Sequence, residues 1–153
     1  MTAPYTGGCQ CGAVRYRAQT LAKASICHCR MCQKAAGNYF APLVEVEGFA
    51  WTRGKPGVFA SSNLSNRLFC PHCGTPLALE TDGAMEIMIG SLDDPSAATV
   101  LYHANPKDRL PVTECLHTIP DQNAERAAEN DAWNARIINN QHPDHDTEAW
   151  KPK

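Results

Sequence analysis

The chain has 153 residues, 43% of them hydrophobic, and a formal net charge of −2. That length is most simply one domain with a real core, and the composition excludes wholesale disorder. The balanced charge offers no basic field for nucleic acid, and no apolar run approaches the ~20 residues of a membrane span. The N-terminus, Met1-Thr2-Ala3-Pro4-Tyr5, has neither a basic start nor an apolar stretch, so no signal peptide is expected.

In chain order, Gly7 and Gly8 mark a turn before Cys9 and Cys11. If that segment is extended, residues two apart face the same side, and both sulfurs can point at one metal. Residues 13–18 alternate apolar and basic and read as a half-buried strand. Residues 19–25 read as loop and strand entry. The stretch Ile26-Cys27-His28-Cys29-Arg30-Met31-Cys32-Gln33 follows, and residues 32–36 make one or two helical turns stopped by Gly37. Residues 39–46 are a strand candidate whose Pro42 argues for an edge position or a bulge. Residues 49–52 and 58–60 are short extended segments around a turn at 54–57. Residues 61–66 form a projecting polar loop, and residues 67–69 enter Cys70-Pro71-His72-Cys73 as a short strand. Residues 76–79 and 85–89 are strands around a turn at Asp82 and Gly83, and residues 99–102 are a weaker strand. Short extended segments separated by Gly, Pro and Asn predict a mainly antiparallel β architecture. The tail differs: Asp121 can cap a helix from about Gln122 to Asn139, carrying Ala124, Ala127, Ala128, Trp133 and Ile137 at helical spacing. Beyond it, residues 142–146 and 151–153 read as polar and loose. The organisation expected is a body over residues 7–120 with a helical or loose appendage over 121–153.

Seven of the eight cysteines sit in three tight groups. Disulfides do not need such crowding. A soft metal ion does, because its thiolates must converge within about 2.3 Å of one point. With no signal sequence, CxC and CxxC groups also point to a reducing, cytoplasmic setting. A structural zinc takes four ligands, and CxC plus CxxC supplies them as Cys9, Cys11, Cys70 and Cys73. That leaves Cys27, Cys29 and Cys32 as a three-sulfur site with a vacant fourth position, the coordination catalytic zinc keeps. A rival partition mixes the central cysteines into the four-ligand site. A second rival closes the central site with His28, Cys115 or His117. His72 reads as an exposed knuckle residue, and His142 and His145 as tail residues without a metal role.

The motifs Gly8-Cys9-Gln10-Cys11-Gly12, Cys27-His28-Cys29-Arg30-Met31-Cys32-Gln33-Lys34 and Arg67-Leu68-Phe69-Cys70-Pro71-His72-Cys73-Gly74 resemble those of the glutathione-dependent formaldehyde-activating enzyme family, which includes the centromere protein V group. The resemblance spans about residues 7–117. It implies an Mss4-like fold, folded-over antiparallel sheets stapled by zinc. It implies two Zn²⁺ per chain: a structural ion on Cys9, Cys11, Cys70 and Cys73, and a catalytic one on Cys27, Cys29 and Cys32. The family's named reaction joins glutathione and formaldehyde into S-hydroxymethylglutathione, formally a carbon–sulfur lyase run in reverse. The tail from Asp121 carries no matching motif.

The partners expected are thus a small thiol such as glutathione and a small aldehyde, with no nucleic acid and no membrane, and with a homodimer allowed. Three thiolates outweigh the charge of Zn²⁺, so a thiol is a better occupant of the open position than water. Arg67, Arg30 or Lys34 could steer an anionic peptide, each against the alternative of a solvated surface charge. The other class open to the sequence is a zinc-stabilised binding module with both sites closed.

Overall fold

A computed structural model of the chain describes residues 4–152. Its first strands are β1 (Tyr5–Gly8), β2 (Arg15–Ala18) and β3 (Thr20–Cys27), followed by helix α1 (Arg30–Ala36). Then come β4 (Ala41–Glu47), β5 (Ala50–Arg53), β6 (Gly57–Ala60), β7 (Ser65–Phe69), β8 (Pro76–Thr81), β9 (Ala84–Met88) and β10 (Val100–Ala104). Helix α2 (Ala124–Asn134) lies in the tail. The strands form two sheets, ordered β1-β2-β5 and β10-β3-β4-β9-β8-β7-β6. This is the mainly β architecture the sequence predicts, with the C-terminal helix present. Every strand pair is antiparallel except β10 against β3.

Period-2 alternation gives the large sheet two different faces. The register sets Ala24, Val44, Ile87, Ala78 and Leu68 side by side across five strands, and all five are buried. This row shares the main core with Val14 and Tyr16 at the small sheet, and Phe49 and Trp51 pack against it. Leu77 is the extra residue of a bulge between Pro76 and Ala78, and it is fully buried in the same core. The opposite face carries Tyr102, Ser25, Leu43, Glu86, Leu79 and Arg67, with Cys27 at the end of β3. Here a smaller cluster gathers Cys27, Cys32, Ala41 and Leu43. One face thus carries the main core, and the other carries the cluster around Cys27 and Cys32.

The structure corrects five local expectations. Residues 20–25 lie wholly within strand β3 rather than forming a loop that leads into a strand, and the projecting loop stops short because Ser65 and Asn66 already belong to β7. Pro42 lies in β4, an interior strand, not at an edge. It is tolerated because it pairs with Ile26 on one side and sits one step beyond the β9 pairing, which starts at Leu43 opposite Met88. The tail helix is capped by Asn123, whose side chain accepts from the Arg126 amide at 2.9 Å, and it stops at Asn134 rather than Asn139. Its apolar residues find no core: Trp133 and Ile137 are exposed, and a short helix without tertiary packing is marginal.

The end of the tail is docked rather than loose. His142 is 3% exposed, and its amide donates to the Gln10 carbonyl at 2.7 Å. The Trp150 indole N–H donates to the Cys11 carbonyl at 2.7 Å and its ring meets the His142 ring edge-on. Gly12 sits beneath both rings at φ +73°, so any side chain there would strike them. The Arg15 guanidinium, 3% exposed, binds Asp93 with two nitrogens and Asp146 of the tail at 2.7 Å. The tail therefore straps across the first cysteine turn.

Candidate metal centres and active site

Seven of the eight described cysteine sulfurs gather in two groups, Cys9 with Cys11, Cys70 and Cys73, and Cys27 with Cys29 and Cys32. Within each group all sulfurs lie within 4.8 Å of one another, and none is in a disulfide.

The four-sulfur group is built from two matching knuckles. In the first, the Cys9 amide donates to the Val14 carbonyl at 2.9 Å, the Gly12 amide to the Cys9 carbonyl at 3.0 Å, and the Val14 amide to the Cys9 sulfur at 3.2 Å. In the second, the Cys70 amide donates to Thr75, the Gly74 amide to Cys70, and the His72 amide to the Cys70 sulfur at 3.4 Å. Each knuckle closes on a glycine of positive φ, Gly12 and Gly74. The Gln10 amide donates to the Thr75 hydroxyl at 3.1 Å and ties one knuckle to the other. His72 is exposed on the outside of its knuckle.

The donor set fits zinc. Bonds of about 2.3 Å in a tetrahedron place sulfurs roughly 3.8 Å apart. Cys9 and Cys11 are 3.6 Å apart, and Cys11 and Cys70 are 3.8 Å apart. Crowding also sets the protonation. Burial pushes the Cys9 thiol up to about 12; the Val14 amide opposes this, and Cys70 and Cys11 add to it. Burial also raises Cys73, but hydrogen bonds from Thr75 and Cys11 outweigh it and bring the thiol to about 6. A divalent cation held by these four residues would supply the charge that lets all four sulfurs ionise together.

The three-sulfur group is made where β3 runs into α1. Cys29 caps the helix, its sulfur accepting from the Cys32 amide at 3.4 Å, and the i, i+3 spacing puts both sulfurs on one side. Cys27 accepts from the Asn105 side chain at 3.3 Å, and Cys32 from the Arg67 guanidinium at 3.5 Å. Burial pushes Cys32 up to about 12 against the pull of Arg67. Cys27 is lowered: burial raises it, but the Cys29 amide, Asn105 and the neighbouring sulfurs outweigh burial.

No fourth His, Cys, Asp or Glu of the described residues joins these three sulfurs. His28 faces away. Its ring is 1% exposed, its Nε2 lies 2.9 Å from Nδ1 of His103, and it lines a separate recess with Phe40 and Arg109. The Gln33 side chain holds it there by donating to the His28 carbonyl at 2.7 Å. Cys115 is exposed at the bend between two 3-10 turns, and His117 is exposed in the second of them.

The three sulfurs open onto a cavity of about 250 Å³ whose polar wall includes Ser61, Ser65, Arg67, Glu86, Tyr102 and Asn105. Arg67 is held there by Ser61, which accepts from its Nε at 3.0 Å. Arg30 and Lys34 line a different recess on the outer side of α1, with Tyr39 and Leu110. Of the three basic candidates, only Arg67 reaches the sulfurs. A larger cavity of about 440 Å³ flanks the four-sulfur group, but its Arg15 and Asp93 are bonded to each other. The smaller cavity, with polar groups still free to bind, is the better candidate for chemistry. Glu86, Asn105 and the serines escape a motif search because they come from separate strands and loops. The available signal was alternation: Glu86 and Arg67 each stand beside a core residue, Ile87 and Leu68.

The chain is similar to known proteins and to one known family. The chain is 34% identical over 75 residues to an uncharacterised lyase of Schizosaccharomyces pombe, a match covering 48% of this chain and 55% of that protein. The chain thus spans little more than half the length of that relative. It is also similar to a crystal structure of a Rhodobacter sphaeroides protein, at 19% identity and a TM-score of 0.49, over 65% of this chain and 99% of that one. The family model for glutathione-dependent formaldehyde-activating enzymes matches residues 4–106, a span that includes both sulfur groups, Arg67, Glu86 and Asn105. The chain belongs to the glutathione-dependent formaldehyde-activating enzyme family.

Proposed function

We propose that this chain is a zinc-dependent carbon–sulfur lyase that joins, or cleaves, a glutathione-like thiol and a small aldehyde at the three-sulfur site. Cys9, Cys11, Cys70 and Cys73 hold a structural zinc, and Cys27, Cys29 and Cys32 hold a catalytic one. The observation that carries this reading is the incomplete ligand set. Three sulfurs share a cavity, and no described fourth ligand closes them off from it. When bound there, zinc supplies the positive centre that favours thiolate over thiol, and because three cysteinates outweigh its two charges it activates water less well than a histidine-ligated zinc.

The surrounding residues fix the site and its size. Asn105 and Arg67 each donate to one sulfur and so hold Cys27 and Cys32 in place. Arg67 also offers a positive edge to an anionic thiol or a substrate carboxylate. Ligand pockets for drug-sized molecules run from about 300 to 1,000 Å³. A cavity of about 250 Å³ therefore admits the thiol end and a small aldehyde, with the rest of a peptide lying along the rim. Residues 7–120 form the reacting body in this reading, and the docked end of the tail, from His142 to Trp150, clamps it. The unpaired thiols suit a reducing, cytoplasmic setting.

The test is turnover. Zinc-loaded protein mixed with glutathione and formaldehyde is expected to form S-hydroxymethylglutathione faster than the uncatalysed mixture, and Cys32→Ser is expected to abolish the difference. No acceleration by the wild-type protein would contradict the reading.

A further inference from the structure

Glu86 is the only carboxyl-bearing residue lining the cavity beside the three sulfurs, among the described residues. Its position follows from register. On the site face it lies directly between Glu45 of β4 and Leu79 of β8, and Leu79 in turn pairs with Arg67 of β7. Arg67 is thus two strands away, roughly 10 Å by strand spacing, and is already engaged by Ser61 and Cys32. Among the described residues no hydrogen bond or ion pair reaches the Glu86 carboxyl. The other titratable groups facing the cavity are Arg67, the three cysteines and Tyr102.

A half-buried carboxyl facing a second carboxyl, with no cation paired to it, is a costly arrangement for a sheet. Burial, and after it the charge of Glu45, hold the Glu86 carboxyl above its ordinary range. Such an acid gives up and regains its proton nearer neutrality than a solvated glutamate does.

Thiol addition to an aldehyde creates the need for such a group. The thiol loses its proton, the sulfur pair forms the new C–S bond, the C=O π pair moves to oxygen, and that oxygen takes a proton. We propose that Glu86 is the catalytic proton carrier for this exchange, taking the proton from the thiol with its carboxylate and returning it to the aldehyde oxygen. The S–H bond and the C=O π bond are lost, C–S and O–H are formed, and Glu86 ends as it began. No oxidant or reductant is required, and the reverse path runs the same proton backwards. This inference rests on the thiol–aldehyde reading of the site.

The test uses the zinc-loaded full chain as wild type, Glu86→Gln and Glu45→Gln. Zinc content, glutathione affinity and kcat are measured, together with the Glu86 carboxyl titration by carbon NMR. Glu86→Gln is expected to keep both zinc ions and its glutathione affinity while kcat falls at least about 100-fold. In the wild type, the Glu86 carboxyl is expected to titrate clearly above about 4.3, and Glu45→Gln is expected to lower that value. Unchanged kcat in Glu86→Gln beside an active wild type would overturn the carrier role alone. So would titration of Glu86 at or below about 4.3, whatever the turnover. A wild type that gives no acceleration would overturn the thiol–aldehyde reading and the carrier role together.

Discussion

Replacing Asp93 with Asn tests how the tail and the four-sulfur group are held together. The Arg15 side chain is 3% exposed and Asp93 12%, and the two meet through paired nitrogens and oxygens. Asp146, the second carboxylate on Arg15, is 53% exposed. Removing one partner of a buried ion pair costs about 3–5 kcal/mol, because the other charge stays desolvated. Asp146 remains to share that charge, so the lower end, about 3 kcal/mol, is expected for Asp93→Asn. That is on the order of a 100-fold change in the folding equilibrium. Asp146→Asn removes a solvent-screened pair and is expected to cost less than about 1 kcal/mol. Urea unfolding of the zinc-loaded chain at neutral pH measures both. The acid side offers a second readout. Burial raises the Asp93 carboxyl, but Arg15 and the Thr6 hydroxyl outweigh it and hold it below the ordinary range. Its contribution is therefore complete at neutral pH and is lost as pH falls from about 4 towards its folded-state value. That part of the acid slope is expected to vanish in Asp93→Asn. Equal costs for the two variants, or a cost below about 1 kcal/mol for Asp93→Asn, would refute the buried clamp.

Cys32→Ser is expected to keep a near-wild-type fold while losing one zinc and all turnover, whereas Cys73→Ser is expected to fold poorly, since a structural zinc contributes folding free energy directly. Circular dichroism with zinc analysis separates them, and identical behaviour would contradict the division of labour. Arg67→Gln removes the cationic donor 3.5 Å from the Cys32 sulfur. Glutathione affinity is expected to fall about tenfold, by calorimetric titration, with zinc content unchanged. Unaltered affinity would remove Arg67 from substrate capture.

The sulfur groups were legible in the sequence because knuckle ligands lie within a few residues of each other. The spacing of Cys9 and Cys11, and of Cys70 and Cys73, carries most of its own geometry. The mainly β architecture was legible too, through alternation and turn residues. Pro42 misled because a proline rule about edges depends on where the neighbouring strand ends, which only the register decides. His142 reads as loose in the sequence, and nothing there marks Trp150 as docked, because their partners, Gln10 and Cys11, lie at the far end of the chain. Glu86 and Asn105 were missed for the same reason. Each belongs to the site only through strand pairing or a loop contact distant in sequence.

A native mass spectrum of the purified full chain, with and without glutathione, tests the central proposal most directly. Two zinc ions per chain are expected, with a glutathione adduct that disappears in Cys32→Ser along with one zinc. A single zinc, or two zinc ions with no adduct, would contradict an open thiol-binding site at Cys27, Cys29 and Cys32.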